Sequence, residues 1–239
     1  MNNSIGLIAI AAGIVISAVV ASTTADKFRI AKQTLTVKGY AEQSIVADIG
    51  VWNGTLTVRS NDLTSGSQKI QTQLQQVKQF LADQKIADTS VQINGVNLMP
   101  QYEVNQQGIP TSVLSGYQLS QQITITDKPA VIQNLDQNSN KLIEQGIEIS
   151  SWAPQYYYTA LDKVRIEMLG EAMKDAQKRA QTLAENSGGT LGTLRTAQQG
   201  VFQITPEYST ETSDSGFSDT SAINKKIKAL VTAQFTIEK

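Results

Sequence analysis

From residue 34 onward the apolar residues change period in a set order, from two to 3.6 and back, which restricts the chain to a mixed helix-and-strand architecture. Residues 34–40 (TLTVKGY) alternate, and residues 44–59 carry a β-rich run with Ile45, Ile49, Val51, Leu56 and Val58. Asn61 and Asp62 then offer N-caps. Ile70, Leu74, Val77 and Leu81 recur at i, i+4, i+7 and i+11, so the spacing predicts an amphipathic helix over 63–83 with a Gln- and Lys-rich outer face. Val91, Ile93, Val96 and Leu98 begin a strand that runs past Tyr102 and Val104. A turn cluster at 105–110 (NQQGIP) separates it from a returning strand over 113–126, in which Tyr117, Leu119, Ile123 and Ile125 are apolar.

Lys128-Pro129 opens a second helix, with Pro suited to its first turn, and Gly146 suits its end. Its inward residues are Val131, Leu135, Leu142 and Ile143. A strand over 147–158 bears Trp152 and three successive tyrosines. A long helix over 159–186 follows, with a stripe of Leu161, Val164, Met168, Leu169, Ala172, Met173, Ala176, Ala180 and Leu183, stopped by Gly188-Gly189. Strands over 191–204 and 227–237 flank a polar linker at 206–222. The expected fold is therefore α+β: a mixed, mainly antiparallel sheet with a ferredoxin-like βαββαβ order, followed by a long helix and two further strands. Those last elements either extend the same layer or build a second one.

Ahead of this body, residues 5–21 (IGLIAIAAGIVISAVVA) carry no charge. As a helix they span about 25 Å, and the weakly polar residues 22–25 bring that to roughly 31 Å, enough for a bilayer core. The segment reads as a single-span anchor through residues 5–25, or as a cleaved signal with a small-residue site near Ala21 or Ala25. Lys27, Arg29 and Lys32 follow it, a bias toward a cytoplasmic C-terminal side. The division is thus 1–32, anchor or signal plus linker, and 33–239, the α+β domain.

With 20 Lys+Arg against 21 Asp+Glu the net charge is -1, which supplies no basic face for nucleic acid. His and Cys are both absent. That excludes Ser-His-Asp triads, thiol nucleophiles, disulfides, Fe–S clusters and His-ligated haem. Any chemistry must use carboxylates, Lys, Tyr, Ser or oxygen-bound metals.

Three constellations stand out, each with a plainer reading. Glu167, Glu171 and Asp175 lie four apart on one helix face, a possible cation or acid/base ladder. Lys174, Lys178 and Arg179 beside them make it read as an ordinary ion-paired face. Trp152, Tyr156 and Tyr158 share one strand face unless Pro154 breaks the register, a candidate stacking platform for sugars or bases whose plainer readings are core and sheet surface or an oligomer contact. Glu207, Glu211, Asp214 and Asp219 sit in the Ser/Thr-rich linker, a weak Ca²⁺ candidate whose spacing is not that of an EF-hand loop, and the plainer reading is a mobile loop with Phe217 as its one apolar anchor for docking a neighbouring subunit. No catalytic, cofactor-binding or metal-binding residue is assigned.

The segment LTVKGYAE at 35–42, followed by Val46-Ala47-Asp48, resembles the opening of SIMPL-domain proteins, a V-x-G-x-G/A-E strand preceding a small-or-Pro-Asp pair. Gly116-Tyr117, opening the strand to Thr126, is similar to the family's second signature. Residues 175–180 (DAQKRA), with Leu183-Ala184 and the glycines at 188–192, are similar to its third. The departures are Tyr40, Ala47 and Gln177, where Gly, Pro and Arg are common in the family. The resemblance covers roughly residues 34–239. It implies an exported bacterial envelope protein, often linked to stress tolerance, with some relatives forming large ring- or channel-like oligomers, and no established chemistry.

The expectation is therefore a non-enzymatic protein of the inner membrane, its C-terminal domain in the periplasm, acting through self-assembly or an envelope protein partner. A cleaved, soluble periplasmic form is the alternative for location. A carboxylate-based envelope-glycan hydrolase and a small-ligand or lipid-binding module are the alternatives for activity. No cofactor is expected.

Overall fold

The computed structural model describes residues 34–210, 213 and 215–238, together with residue 17. The apolar segment at 5–25 lies, apart from that one residue, outside the described residues. Among the described residues no helix is long and apolar enough to cross a membrane.

The long alternating pattern at the start is split between two sheets. β1 (Thr34–Val46) and β2 (Ile49–Ser60) are separated by Ala47-Asp48 alone. That break is pinned by backbone bonds: the Ala47 N–H donates to Ile223 O and the Asp48 N–H to Tyr157 O, both at 2.9 Å.

β2 lies inside a six-stranded sheet. It pairs antiparallel with β5 (Pro110–Asp127) from Gly50↔Asp127 to Ser60↔Tyr117. Its other edge holds β6 (Ile149–Ser151) and β7 (Gln155–Tyr157). The far edge of β5 holds β3 (Val91–Ile93) and β4 (Asn97–Val104), giving the order β3/β4, β5, β2, β6/β7. One face is covered by α1 (Leu63–Asp83), α2 (Pro129–Asn138) and α3 (Asn140–Glu144). Trp52, Leu56 and Val58 point to that face at period two and meet Ile70, Val77, Ile132, Leu135 and Leu142. Asp62 caps α1 as expected, accepting from the Ser65 N–H at 2.7 Å.

The elements after β7, together with β1, build a second layer. β1 pairs antiparallel with β11 (Asn224–Glu238) over its whole length. The other edge of β11 carries β8 (Thr190–Gln199) and β9 (Gln203–Pro206), and β10 (Phe217–Ser218) adds parallel to β9. α4 (Leu161–Asn186) covers one face of this sheet. Its buried ridge is Val164, Met168, Ala172, Ala176, Ala180 and Ala184, spaced by four. Leu183, expected in that stripe, is exposed, and Ala184 takes the inward place. The small residues let the helix backbone approach β1 directly. A Cβ added at Gly39 would sit 2.0 Å from the Ala172 carbonyl oxygen.

Two boundaries differ from expectation for local reasons. The expected strand at 191–204 divides at Gly200, whose N–H turns to Leu230 O at 2.8 Å. Among the described residues four strands therefore follow the long helix, where two were expected. The expected strand at 147–158 divides at Trp152-Ala153-Pro154, because Pro cannot donate to a ladder.

Candidate interaction surface

The most distinctive surface is a β-hairpin that outruns its sheet. β2 last pairs at Tyr117, so residues 110–116 of β5 are held by β4 alone. The tip is built by Asn105, whose Oδ1 accepts from the Gln107 and Ile109 N–H groups at 3.0 Å each, with Gly108 at φ 77°. Along this arm Tyr102, Val104, Ile109, Val113 and Leu114 are each 46–63% exposed, and Leu98 and Met99 at its base are 45% and 52%. From Ile86 to Thr126 the chain holds only Asp88 and Glu103 as charged residues, and no Lys or Arg. The sequence reading found the hairpin and missed this exposure. The signal was present in the adjacent apolar pairs Leu98-Met99 and Val113-Leu114, because neighbours on a strand point to opposite faces and one core cannot bury both.

The three expected constellations come apart. Glu167 and Glu171 are exposed on α4, whereas Asp175 is half-buried and engaged. It accepts the Tyr40 N–H at 2.8 Å and the Arg179 Nε–H at 2.7 Å, which holds its carboxyl below the usual range. Pro154 does break the tyrosine register: Trp152 is 81% exposed while Tyr156 lies in the core. The Tyr156 N–H donates to Thr220 O at 2.7 Å, tying the first sheet to the acidic segment.

Glu211 and Asp214 lie outside the described residues; the described part of that segment is more structured than a mobile linker. Phe217 belongs to β10, and Asp219 is buried against Lys225 of β11. The Lys225 ammonium, 2% exposed, donates to Asp219 Oδ2 and to the Asp219 carbonyl, each at 2.7 Å. Burial pushes the Asp219 carboxyl up, but Lys225, the Ser221 hydroxyl and N–H and the Ala222 N–H outweigh it and hold the group at about 2. A carboxylate so held is a poor proton donor at neutral pH. The neighbouring cavity of about 40 Å³ has room for ordered water only. Lys225 was also missed. Its phase reveals it, since it continues the inward row of Ile227, Ala229, Val231 and Ala233. Among the described residues no three acidic side chains gather as a metal site.

On the outer face of β1 and β11, the Tyr40 hydroxyl donates to Glu42 Oε2 at 2.6 Å, and Lys226 pairs with the same carboxylate. Desolvation and then the Glu42 bond push the Tyr40 phenol up to about 12. An open groove of about 670 Å³ follows β1 and α4, lined by Val37, Lys38, Asp175, Lys178, Arg179 and Leu183.

The model for the family described as SIMPL, protein of unknown function (DUF541), matches residues 35–235. The chain belongs to the SIMPL family. No curated protein matches it. The residues that carry the SIMPL resemblance prove to be joints. Gly39 of the first signature lies under Ala172 and Ala176, the second of which belongs to the third signature. Asp175 then caps the Tyr40 N–H, joining the same two segments 135 residues apart. Asp48 accepts from the Thr159 N–H at 2.9 Å and its hydroxyl at 2.6 Å, fixing the entry to α4. At Gly116 of the second signature an added Cβ would lie 2.7 Å from Ser60 O. These contacts position backbone; of the residues making them, Asp175 also lines the open groove along β1 and α4, where its carboxylate is paired with Arg179.

Proposed function

We propose that this SIMPL protein is a membrane-tethered, periplasm-facing envelope component that works without catalysis, through self-assembly or partner binding, in a stress-related role. The observation that carries the reading is the arm: a protruding ribbon with apolar side chains in water and almost no charge, the composition of a surface that is covered in use. The uncharged stretch at 5–25 supports the tether, and the family resemblance supports the periplasmic side. The test is cell fractionation with protease accessibility on the intact chain, followed by light scattering of the detergent-solubilised protein. A membrane-bound protein, digested only once the periplasm is opened and larger than one copy or complexed with a partner, is expected. A cytoplasmic, monomeric and partnerless protein overturns the reading.

A second reading has its own observation. Lys38 and Lys178 beside apolar Val37 and Leu183 suit the groove to an amphipathic anion, as in a small-ligand or lipid-binding module, with the Asp175–Arg179 pair on the same wall. Micromolar binding of a short-chain phospholipid, lost in Lys38→Glu/Lys178→Glu, would favour it.

A further inference from the structure

A second opening, sharing no residue with the arm or with the β1–α4 groove, has the chemistry of a ligand site. We infer that the cleft between the two layers binds a neutral oligosaccharide, stacked on Tyr208 and hydrogen-bonded by the amides and carboxylates of its walls. The site goes beyond the assembly reading above and does not rest on it.

The cleft holds about 830 Å³, within the range of small-molecule sites. One wall comes from the first layer, from α2 and the bend at Ala153-Pro154. The other comes from the second, from the turn at 206–209 and the segment 221–224. Backbone bonds hold the walls in place. The Tyr156 N–H donates across to Thr220 O at 2.7 Å, and the Glu207 N–H donates to Asn224 O at 3.2 Å. The Ser209 N–H donates to Pro206 O at 3.0 Å, so Tyr208 sits inside a hydrogen-bonded turn. Its side chain is nevertheless 92% exposed. An aromatic ring fixed in water on the wall of a cleft is a ready stacking surface. Trp152, from the expected stacking platform, precedes Ala153 of the opposite wall and is also exposed.

The polar groups of the walls are unfilled. Gln133 and Gln137 stand one helical turn apart on α2. Among the described residues neither they nor Asn224 make a side-chain hydrogen bond. Asp136 and Glu207 are half-buried carboxylates, likewise without a side-chain hydrogen bond. Burial, and then the Asp136 charge, pushes the Tyr156 phenol up, which places that carboxylate close to the Tyr156 ring.

Charge and hydrogen-bond type decide what fits. No Lys or Arg lines the cleft. Lys225 is committed to Asp219, and Lys226 pairs with Glu42 on the outer face of β11. Nucleotides, phosphates and fatty acids would meet carboxylates with no cation to offset them. A polyamine carries donors alone, and would leave the amide N–H groups of Gln133, Gln137 and Asn224 without acceptors. A sugar hydroxyl both donates and accepts, so it satisfies amide and carboxylate alike. The C–H face of a sugar ring suits the negative face of the Tyr208 ring. The volume exceeds that of one sugar ring, so the ligand is a chain.

Calorimetric titration of the full chain in detergent tests this with tetra-N-acetylchitotetraose, cellotetraose and maltotetraose, and with spermine and tetraglycine for comparison. At least one tetrasaccharide is expected to bind with a Kd of roughly 0.1–1 mM, the weak range left when hydroxyls exchange water for protein partners. Tyr208→Ala and Gln133→Ala/Gln137→Ala should each weaken it about tenfold or more, and Tyr208→Phe, which keeps the ring, by less than about threefold. Ile166→Ala, 72% exposed on α4, should not change it, and every variant should melt as the parent does.

No binding of any tetrasaccharide at about 10 mM would overturn the proposal. So would spermine or tetraglycine bound more tightly than every sugar, or sugar binding that survives both Tyr208→Ala and Gln133→Ala/Gln137→Ala. Shortened sugar recovered from the cell would leave the site standing and overturn the non-catalytic reading instead.

Discussion

Replacing Gly39 by alanine tests the closest contact in the fold. An added Cβ would lie 2.0 Å from Ala172 O, 2.5 Å from Ala176 N and 2.6 Å from Ala176 Cβ. Two of these atoms are helix backbone, so no side chain can rotate away, and α4 must retreat from β1 by about 1 Å to restore ordinary contact. Overpacking of this kind costs about 1–3 kcal/mol, and the retreat also stretches the Tyr40–Asp175 bond, worth about 1 kcal/mol. We expect Gly39→Ala to lose about 2–4 kcal/mol, although alanine in a strand without a clash is favoured over glycine by about 0.5–1 kcal/mol. Gly170→Ala is the internal control, lying on α4 with no atom within 4 Å of an added Cβ. It should gain about 1 kcal/mol from helix propensity alone. Thermal melts followed by circular dichroism read both, at about 2–4 °C per kcal/mol for a chain of this size. Gly39→Ala should melt about 5–15 °C lower and Gly170→Ala a few degrees higher. A Gly39→Ala protein as stable as the parent would refute the placement of α4 on β1.

Further outcomes follow from the same contacts. Lys225→Met leaves the Asp219 carboxylate buried without its cation and should cost about 3–5 kcal/mol in urea unfolding, most of it restored by adding Asp219→Leu. The Asp219 carboxyl sits at about 2 when folded and near its ordinary value of about 3.9 when unfolded, so its contribution, on the order of 2 kcal/mol, is full above about pH 4 and fades as pH falls toward 2. Urea midpoints between pH 2 and 7 should show that fall in the parent and a shallower one in Asp219→Asn. Asp48→Ala removes the bonds to Thr159 and should lower stability by about 1–2 kcal/mol, read as a melting shift. Trp152→Ala, at a side chain 81% exposed, should move the melt by less than about 0.5 kcal/mol.

Elements that repeat a local period were legible in the sequence. The helix predicted at 63–83 spans Leu63–Asp83, the turn at 105–110 is a turn, and Pro129 opens its helix. Legibility failed where tertiary contact decides. Nothing local says that Ala47-Asp48 sends β1 and β2 into different sheets, because the anchors are Ile223 and Tyr157, far along the chain. Nothing local separates Leu183 from Ala184, since helical spacing admits both and only the closeness of β1 demands the smaller. The acidic segment looked disordered by composition, yet its Asp219 is committed to a lysine whose inward phase β11 sets.

The placement of the SIMPL signature residues bears on where activity can reside. Gly39 and Asp175 join α4 to β1, Asp48 joins the sheet crossover to the start of α4, and Gly116 lets β5 pass the end of β2. Each makes a contact between distant segments, and damage at any of them is damage to the scaffold. The arm tip beyond Gly116 is free of these duties, since no core cluster includes a residue between Leu98 and Gly116. Substitutions there should leave the melting curve in place and change only what the protein assembles with, whereas signature substitutions should lower stability first and assembly in consequence. Comparing melts and cross-linking yields for Gly39→Ala and Leu114→Ser separates the two cases. If Leu114→Ser also lowers the melting temperature of an isolated monomer by more than about 5 °C, the arm is part of the scaffold, and the division between frame and working surface fails.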